Sequence, residues 1–138
     1  MIPVALTVAG SDSGGGAGVQ ADGKTFAALG VYGTSAITAI TAQNTQGVRA
    51  VHPLPAEMVT AQIAAVREDF DVAAVKIGML ATPEIAAAVG RALEGARIVY
   101  DPVMVASSGD ALMREGLIEA IKALLPQVAL LTPNLAEA

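Results

Sequence analysis

Two acids, an amide and one lysine stand where side chains could do chemistry. Asp101 follows Ile98-Val99-Tyr100 and precedes Pro102, so a carboxylate sits at the end of a short apolar run. A group so placed can hold Mg²⁺ through water or orient a nucleophile; it is equally suited to forming a turn ahead of the proline. Gln43 offers a donor and an acceptor side by side, which matches the edge of an aminopyrimidine or amide ligand, or it bonds backbone at a strand end. Asp22 lies near the apolar face of an amphipathic stretch, where it can pair with an exocyclic amine or stand in solvent at a helix edge. Lys76 interrupts an apolar strand and either reaches a phosphate or snorkels to water. Asn134-x-x-Glu137 has the spacing of a helix cap, which does not preclude a ligand role. His52 is the single histidine and there is no cysteine, so neither a zinc cluster nor a thiolate site can be assembled.

The segment AGSDSGGGAGVQADGKT, residues 9–25, raises a second possibility. Gly18 to Thr25 fits the phosphate-loop pattern G-x-x-x-x-G-K-[ST], and RIVYD could serve as its acidic strand. A phosphate loop follows its strand directly, however, with Lys and Thr opening the helix. Here the strand ends near Ala9 and a helix is predicted over 17–29, so Lys24-Thr25 falls well inside it. Context favours a coincidence of spacing. The dinucleotide fingerprint also fails, because Val19 stands where its third glycine belongs. The small residues of Gly10 to Gly18 either let backbone N–H groups approach a ligand closely or form a plain connection.

These residues need a scaffold, and the rest of the chain describes one. A length of 138 residues suits one compact unit. Apolar residues make up 54% and charged ones 15%, an apolar excess that suits a sheet covered on both faces. Buried strands are predicted at 4–9, 33–42, 72–77, 98–101 and 128–131, with a small extra strand or edge excursion at 47–52. Between most of them lie helical patterns: 17–29, with Val19, Gly23, Phe26 and Gly30 on one face; 55–70, with Met58, Ile63, Val66 and Phe70; a start at Thr82-Pro83-Glu84; and about 114–125. Alternation of this kind implies right-handed crossovers and a mostly parallel sheet, whose ligands bind beyond the carboxyl ends of the strands. Asp12, Gln43, Asn44, Asp101, Thr132, Asn134 and Glu137 all fall just after predicted strands.

Eight basic against thirteen acidic residues give a net charge of −5, which argues against nucleic acid or an anionic membrane as partner. The apolar N-terminus has no basic residue before it, so it reads as a first strand and the cytoplasm is the expected compartment. The uncharged run 25–48 is long enough to span a bilayer, but its polar residues and glycines fit a buried strand better.

Taken in order, AGSDSGGGAGVQAD, TFAALGVYGTSAITAITAQNTQGV, KIGML, DPVMVASSGDALM and LTPNLAEA resemble the hydroxymethylpyrimidine/phosphomethylpyrimidine kinases of thiamine biosynthesis, within the ribokinase-like superfamily. The resemblance runs over essentially the whole chain. It implies a three-layer α/β fold with a mostly parallel central sheet and helices on both faces. It further implies ATP-dependent, Mg²⁺-assisted phosphorylation of 4-amino-5-hydroxymethyl-2-methylpyrimidine and of its monophosphate, commonly by a homodimer. By position, Gln43 and Asp22 are then the pyrimidine-edge contacts, with Gly10, Met79 and Val105 as pocket walls. Asp101 and Glu137 become the metal-side acids, and Asn134 with Glu137 the element that organises metal and triphosphate.

Members of that family are about twice as long, and the resemblance assigns the anion hole, the catalytic base and most of the adenine pocket to their C-terminal half. The chain is therefore expected to be the N-terminal portion, residues 1–138, of a single kinase domain, truncated and inactive alone. The competing readings are a non-catalytic pyrimidine-binding module and a true phosphate-loop NTPase. The family's first helix usually carries a bulky apolar residue where this chain has Gly23, and that departure creates the phosphate-loop pattern.

Overall fold

The computed structural model describes residues 1–103 and 116–134. Six strands form one sheet in the order β3-β2-β1-β4-β5-β6. They are β1 Val4–Asp12, β2 Tyr32–Asn44, β3 Gly47–Pro53, β4 Val72–Ile77, β5 Ile98–Tyr100 and β6 Val128–Leu131. Every neighbouring pair is parallel except β2 with β3, which is antiparallel. Four helices connect or flank them: α1 Gly18–Ala28, α2 Ala56–Asp69, α3 Pro83–Ala92 and α4 Leu117–Leu124.

Local chemistry sets several of these boundaries. Thr82 caps α3, its hydroxyl oxygen accepting the Ile85 N–H at 3.1 Å, and Pro83 occupies the first turn, where its missing N–H costs nothing. In α2, Glu57 lies in the first turn and Arg67 in the last, each complementing the helix dipole. A left-handed glycine, Gly116 at φ 82°, opens α4.

Alternation along the strands sends successive side chains to opposite faces of the sheet. Leu6 and Val8 of β1, Val75 and Ile77 of β4, and Ile98 and Tyr100 of β5 enter one buried cluster. Val59 and Ile63 of α2, Ile85 and Val89 of α3, and Leu117, Ile121 and Leu124 of α4 complete it. On the opposite face α1 packs over β1 and β2, with none of its residues fully buried. The result is helix, sheet, helix.

Some expectations require correction. β1 does not stop near Ala9: past a register shift, Ser11 and Asp12 pair with Ile40 and Thr41 of β2, carrying the strand three residues further. In α1, Val19 and Phe26 are only partly buried while Gly23 and Gly30 face solvent, so its apolar stripe is weaker than the pattern suggested. In α2, Val59 takes the core position and Met58 is exposed, a shift of one residue around the helix. The run 25–48 divides among the last turn of α1, β2 and the start of β3. Among the described residues no helix is long and apolar enough to cross a membrane. The helix expected from about 114 is seen from Leu117; Arg114 lies outside the described residues.

Candidate functional site

A cavity of about 370 Å³ opens at the carboxyl ends of β1, β2, β4 and β5. Its wall includes Gly10, Asp22, Gln43, Met79 and Asp101, five residues drawn from five separate stretches of the chain. The parallel sheet makes this convergence unavoidable, because every parallel strand delivers its following loop to the same rim. The cavity has the size of a small-molecule site.

The glycine segment forms one side of that rim, and a buried acid folds it. The Asp12 carboxylate accepts N–H bonds from Gly14 at 2.7 Å and Gly16 at 2.9 Å, while the Asp12 carbonyl accepts from Gly15 at 3.0 Å. Gln20 of α1 grips the same strand end, accepting the Asp12 N–H at 2.8 Å and donating to the Ser11 hydroxyl at 2.7 Å. Three successive glycine amides are thus turned inward onto Asp12. A phosphate loop needs such amides free to cradle oxygens, and its lysine facing the phosphate. Here Lys24 donates to the Gly15 carbonyl at 2.8 Å, and Gly18 to Thr25 all lie within α1. The phosphate-loop pattern is a coincidence of helix sequence. Gly18 is required for a different reason: its φ is +60°, and a Cβ there would collide with the Gly10 carbonyl oxygen.

Gln43 stands at the end of β2. Its amide oxygen lies 3.0 Å from the Thr41 hydroxyl, whose single proton can go either to it or to the Ser11 carbonyl at 2.8 Å. Its NH₂ has no protein partner among the described residues. The main chain of Gln43 is tied to Ser13 in both directions, Ser13 Oγ donating to the Gln43 carbonyl at 2.6 Å and accepting its N–H at 2.7 Å. Ser13 therefore ties the glycine segment to the main chain that carries the Gln43 amide. Met79 faces Gly10 closely: a Cβ added at Gly10 would lie 2.5 Å from the Met79 methyl carbon. A buried bond from Thr38 Oγ1 to the Met79 carbonyl at 2.7 Å anchors that turn.

Asp22 projects from α1 onto the polar face of the sheet. It accepts from Thr7 Oγ1 at 2.6 Å and from Lys76 Nζ at 2.9 and 3.1 Å. Three of its four or so lone-pair directions are thus taken by the protein. Asp101 is held at the rim by its own main chain, its N–H donating to the Ile77 carbonyl at 2.9 Å, an extension of the β4–β5 pairing. Among the described residues no group of three or more His, Cys, Asp or Glu side chains gathers as a metal cage.

Asn134, three residues past β6, does not line the cavity. Val105 and Glu137 lie outside the described residues. Two contributors went unweighted in the sequence: Asp12, recognised only as following a strand, and Ser13. Asp12 has a local signal, since Asp-Ser-Gly-Gly is a sequence in which an Asp side chain readily accepts N–H bonds two and four residues on. Ser13 has none, because its partner lies 30 residues away.

Comparison with known proteins gives concordant results. The family model described as phosphomethylpyrimidine kinase matches residues 12–138. A hydroxymethylpyrimidine/phosphomethylpyrimidine kinase of Rhizobium meliloti is 61% identical over 141 residues, covering 100% of this chain and 53% of its own length. The crystal structure of a phosphomethylpyrimidine kinase from Clostridium difficile 630 superposes with a TM-score of 0.90 at 50% identity, over 98% of this chain and 60% of the other. A Staphylococcus aureus pyridoxal kinase in complex with AMP-PCP and pyridoxal gives a TM-score of 0.82 at 40% identity, covering 99% and 50%. The chain spans about half the length of the curated relatives it matches.

Proposed function

The chain belongs to the phosphomethylpyrimidine kinase family, with its ribokinase-like fold, and on that premise we propose that it contributes the pyrimidine-holding part of an ATP-dependent kinase domain. The substrates of this reading are 4-amino-5-hydroxymethyl-2-methylpyrimidine and its monophosphate. The observation that carries it is the convergence of an amide, two close-fitting walls and an acid around one small cavity.

In this reading the free NH₂ of Gln43 donates to a ring nitrogen, and the amide oxygen takes the neighbouring exocyclic amine on its remaining lone pair. Gly10 and Met79 flank the ring. Asp22 has at most one acceptor direction left for the ligand, so its larger service is to orient Lys76 and Thr7. Phosphoryl transfer is chiefly positioning and charge neutralisation, which strand-end groups are placed to supply.

Mg²⁺ usually takes one or two carboxylates and completes its shell with water and phosphate oxygens, so one or two acids suit it without a cage. Asp101 is the candidate at the cavity wall, with Glu137 as its proposed partner and Asn134 on the phosphate side. Bound Mg²⁺ would neutralise charge on the phosphate donor. A purely pyrimidine-sensing module would have no need of an acid and a cation at the same rim. A cytoplasmic location and a homodimer belong to the same proposal; exposed Ile40 and Val51 beside the sheet edge are available apolar surface.

Titration calorimetry of the chain tests the reading. The 4-aminopyrimidine alcohol is expected to bind, and an analogue lacking the amino group to bind about tenfold more weakly, because the partly buried amide of Gln43 loses a partner. Equal affinities would overturn the assignment of Gln43.

A further inference from the structure

Of the side chains lining the cavity among the described residues, three are carboxylates, Asp12, Asp22 and Asp101, and a single one is cationic, Lys76. A neutral pyrimidine alcohol enters such a site without electrostatic penalty. A pyrimidine monophosphate, carrying close to two negative charges, enters a wall in which acids outnumber cations among the described residues. A cation in the wall lowers the cost of admitting it.

The geometry points to Lys76 as the specificity-determining residue for the phosphorylated substrate, its ammonium held at the cavity by Asp22 to receive a phosphate oxygen. The inference rests on the pyrimidine-kinase reading above and deepens it. Lys76 is on β4 at a position whose side chain leaves the apolar cluster and faces α1. Its Nζ donates to both oxygens of Asp22, at 2.9 and 3.1 Å, and Asp22 is itself pinned by Thr7 Oγ1 at 2.6 Å. An ammonium has three donors, so these bonds leave one for a ligand.

Gly78 supplies the opening. A Cβ at residue 78 would lie 3.4 Å from Lys76 Nζ and 3.0 Å from the Ala9 Cβ, filling the gap between the ammonium and the rim. Lys76 retains 26% of its side-chain exposure and Asp22 only 14%, so the cation is the accessible member of the pair. Asp12, by contrast, has its carboxylate occupied by glycine amides, and it cannot swing away to admit an anion without unfolding the loop.

The test compares two ligands on three proteins by titration calorimetry: the 4-aminopyrimidine alcohol and its monophosphate, with the wild-type chain, Lys76→Met and Lys76→Arg. Loss of a charge-assisted bond predicts that Lys76→Met weakens the monophosphate by roughly 10- to 100-fold while the alcohol changes by less than about threefold. Lys76→Arg should restore most of the difference. A parallel fall for both ligands would overturn the inference and assign Lys76 to scaffolding alone. Failure of the wild-type chain to bind either ligand would instead sink the pyrimidine reading on which it depends. Should Lys76→Met not fold, the unmodified chain still decides the matter by NMR: the Lys76 Cε and Nζ resonances are expected to move with saturating monophosphate and not with the alcohol. Resonances that respond identically to both would refute the assignment.

Discussion

The two faces of the sheet are built from the same strands and obey different rules. Toward α2, α3 and α4 the strands send Leu6, Val8, Val75, Ile77, Ile98 and Tyr100 into a dry cluster that excludes water. Toward α1 the intervening positions include Thr7 and Lys76, which meet Asp22 in a chain of polar bonds that runs to the cavity. One face concentrates stability and the other concentrates chemistry. Period-two alternation makes the separation possible, because a single strand can carry Leu6 and Thr7, or Lys76 and Ile77, without either compromising its neighbour. The helix covering the chemical face has no fully buried residue, and its polar side chains remain close enough to water to serve a ligand.

Truncation on the dry face should break this contrast most severely. Leu6→Ala removes a fully buried side chain beneath two helices, and a loss of about 2–5 kcal/mol in unfolding free energy is expected from urea titration. A loss below 1 kcal/mol would show that the cluster is looser than it looks. Next comes Asp12→Ala at the junction of the faces. It leaves the Gly14 and Gly16 amides without their acceptor and should cost about 1–3 kcal/mol. Hydrogen exchange at those two amides should accelerate while that of Val8 stays slow; uniform acceleration would mean that the loop and core unfold together.

Gln43→Ala sharpens the contrast from the other side. Pyrimidine affinity should fall about tenfold, with the denaturation midpoint nearly unchanged, since among the described residues the side chain meets only Thr41. A large stability loss with intact affinity would reverse the roles assigned to the two faces. The smallest effect belongs to Gly23→Ala. The site is exposed and helical with nothing within 4 Å of an added Cβ, so stability should rise by about 1 kcal/mol without altering ligand binding. Loss of nucleotide affinity in this variant would revive the phosphate-loop reading.

Much of this arrangement was legible in the residues. Val72–Ile77 and Val128–Leu131 are strands with the boundaries their apolar runs predict, although Val128–Leu131, expected to be buried, leaves Leu130 and Leu131 exposed, and Thr82-Pro83 starts a helix as its capping chemistry requires. The pattern of apolar runs places Gln43 and Asp101 at strand ends, whereas Gly10 and Met79 enter only through the family resemblance; all four line the cavity. The extension of β1 to Asp12 was not legible, because Ser11 and Asp12 have turn-like side chains and become strand only by pairing with Ile40 and Thr41. Nor could Met58 be distinguished from Val59 as the core residue, since a one-residue rotation of α2 depends on what the sheet presents to it.

The sequence by itself determined the alternation of strand and helix, the mostly parallel sheet, and which end of it carries the cavity. Those follow from local periodicity and from the chirality of crossovers, and both are written in near neighbours. Tertiary structure alone decided how the polar groups are shared. Lys76 meets Asp22 across 54 residues, and Ser13 meets Gln43 across 30. A hydrogen bond acts over about 3 Å and carries no trace along the chain, so its partners become known only when the fold has brought them within reach.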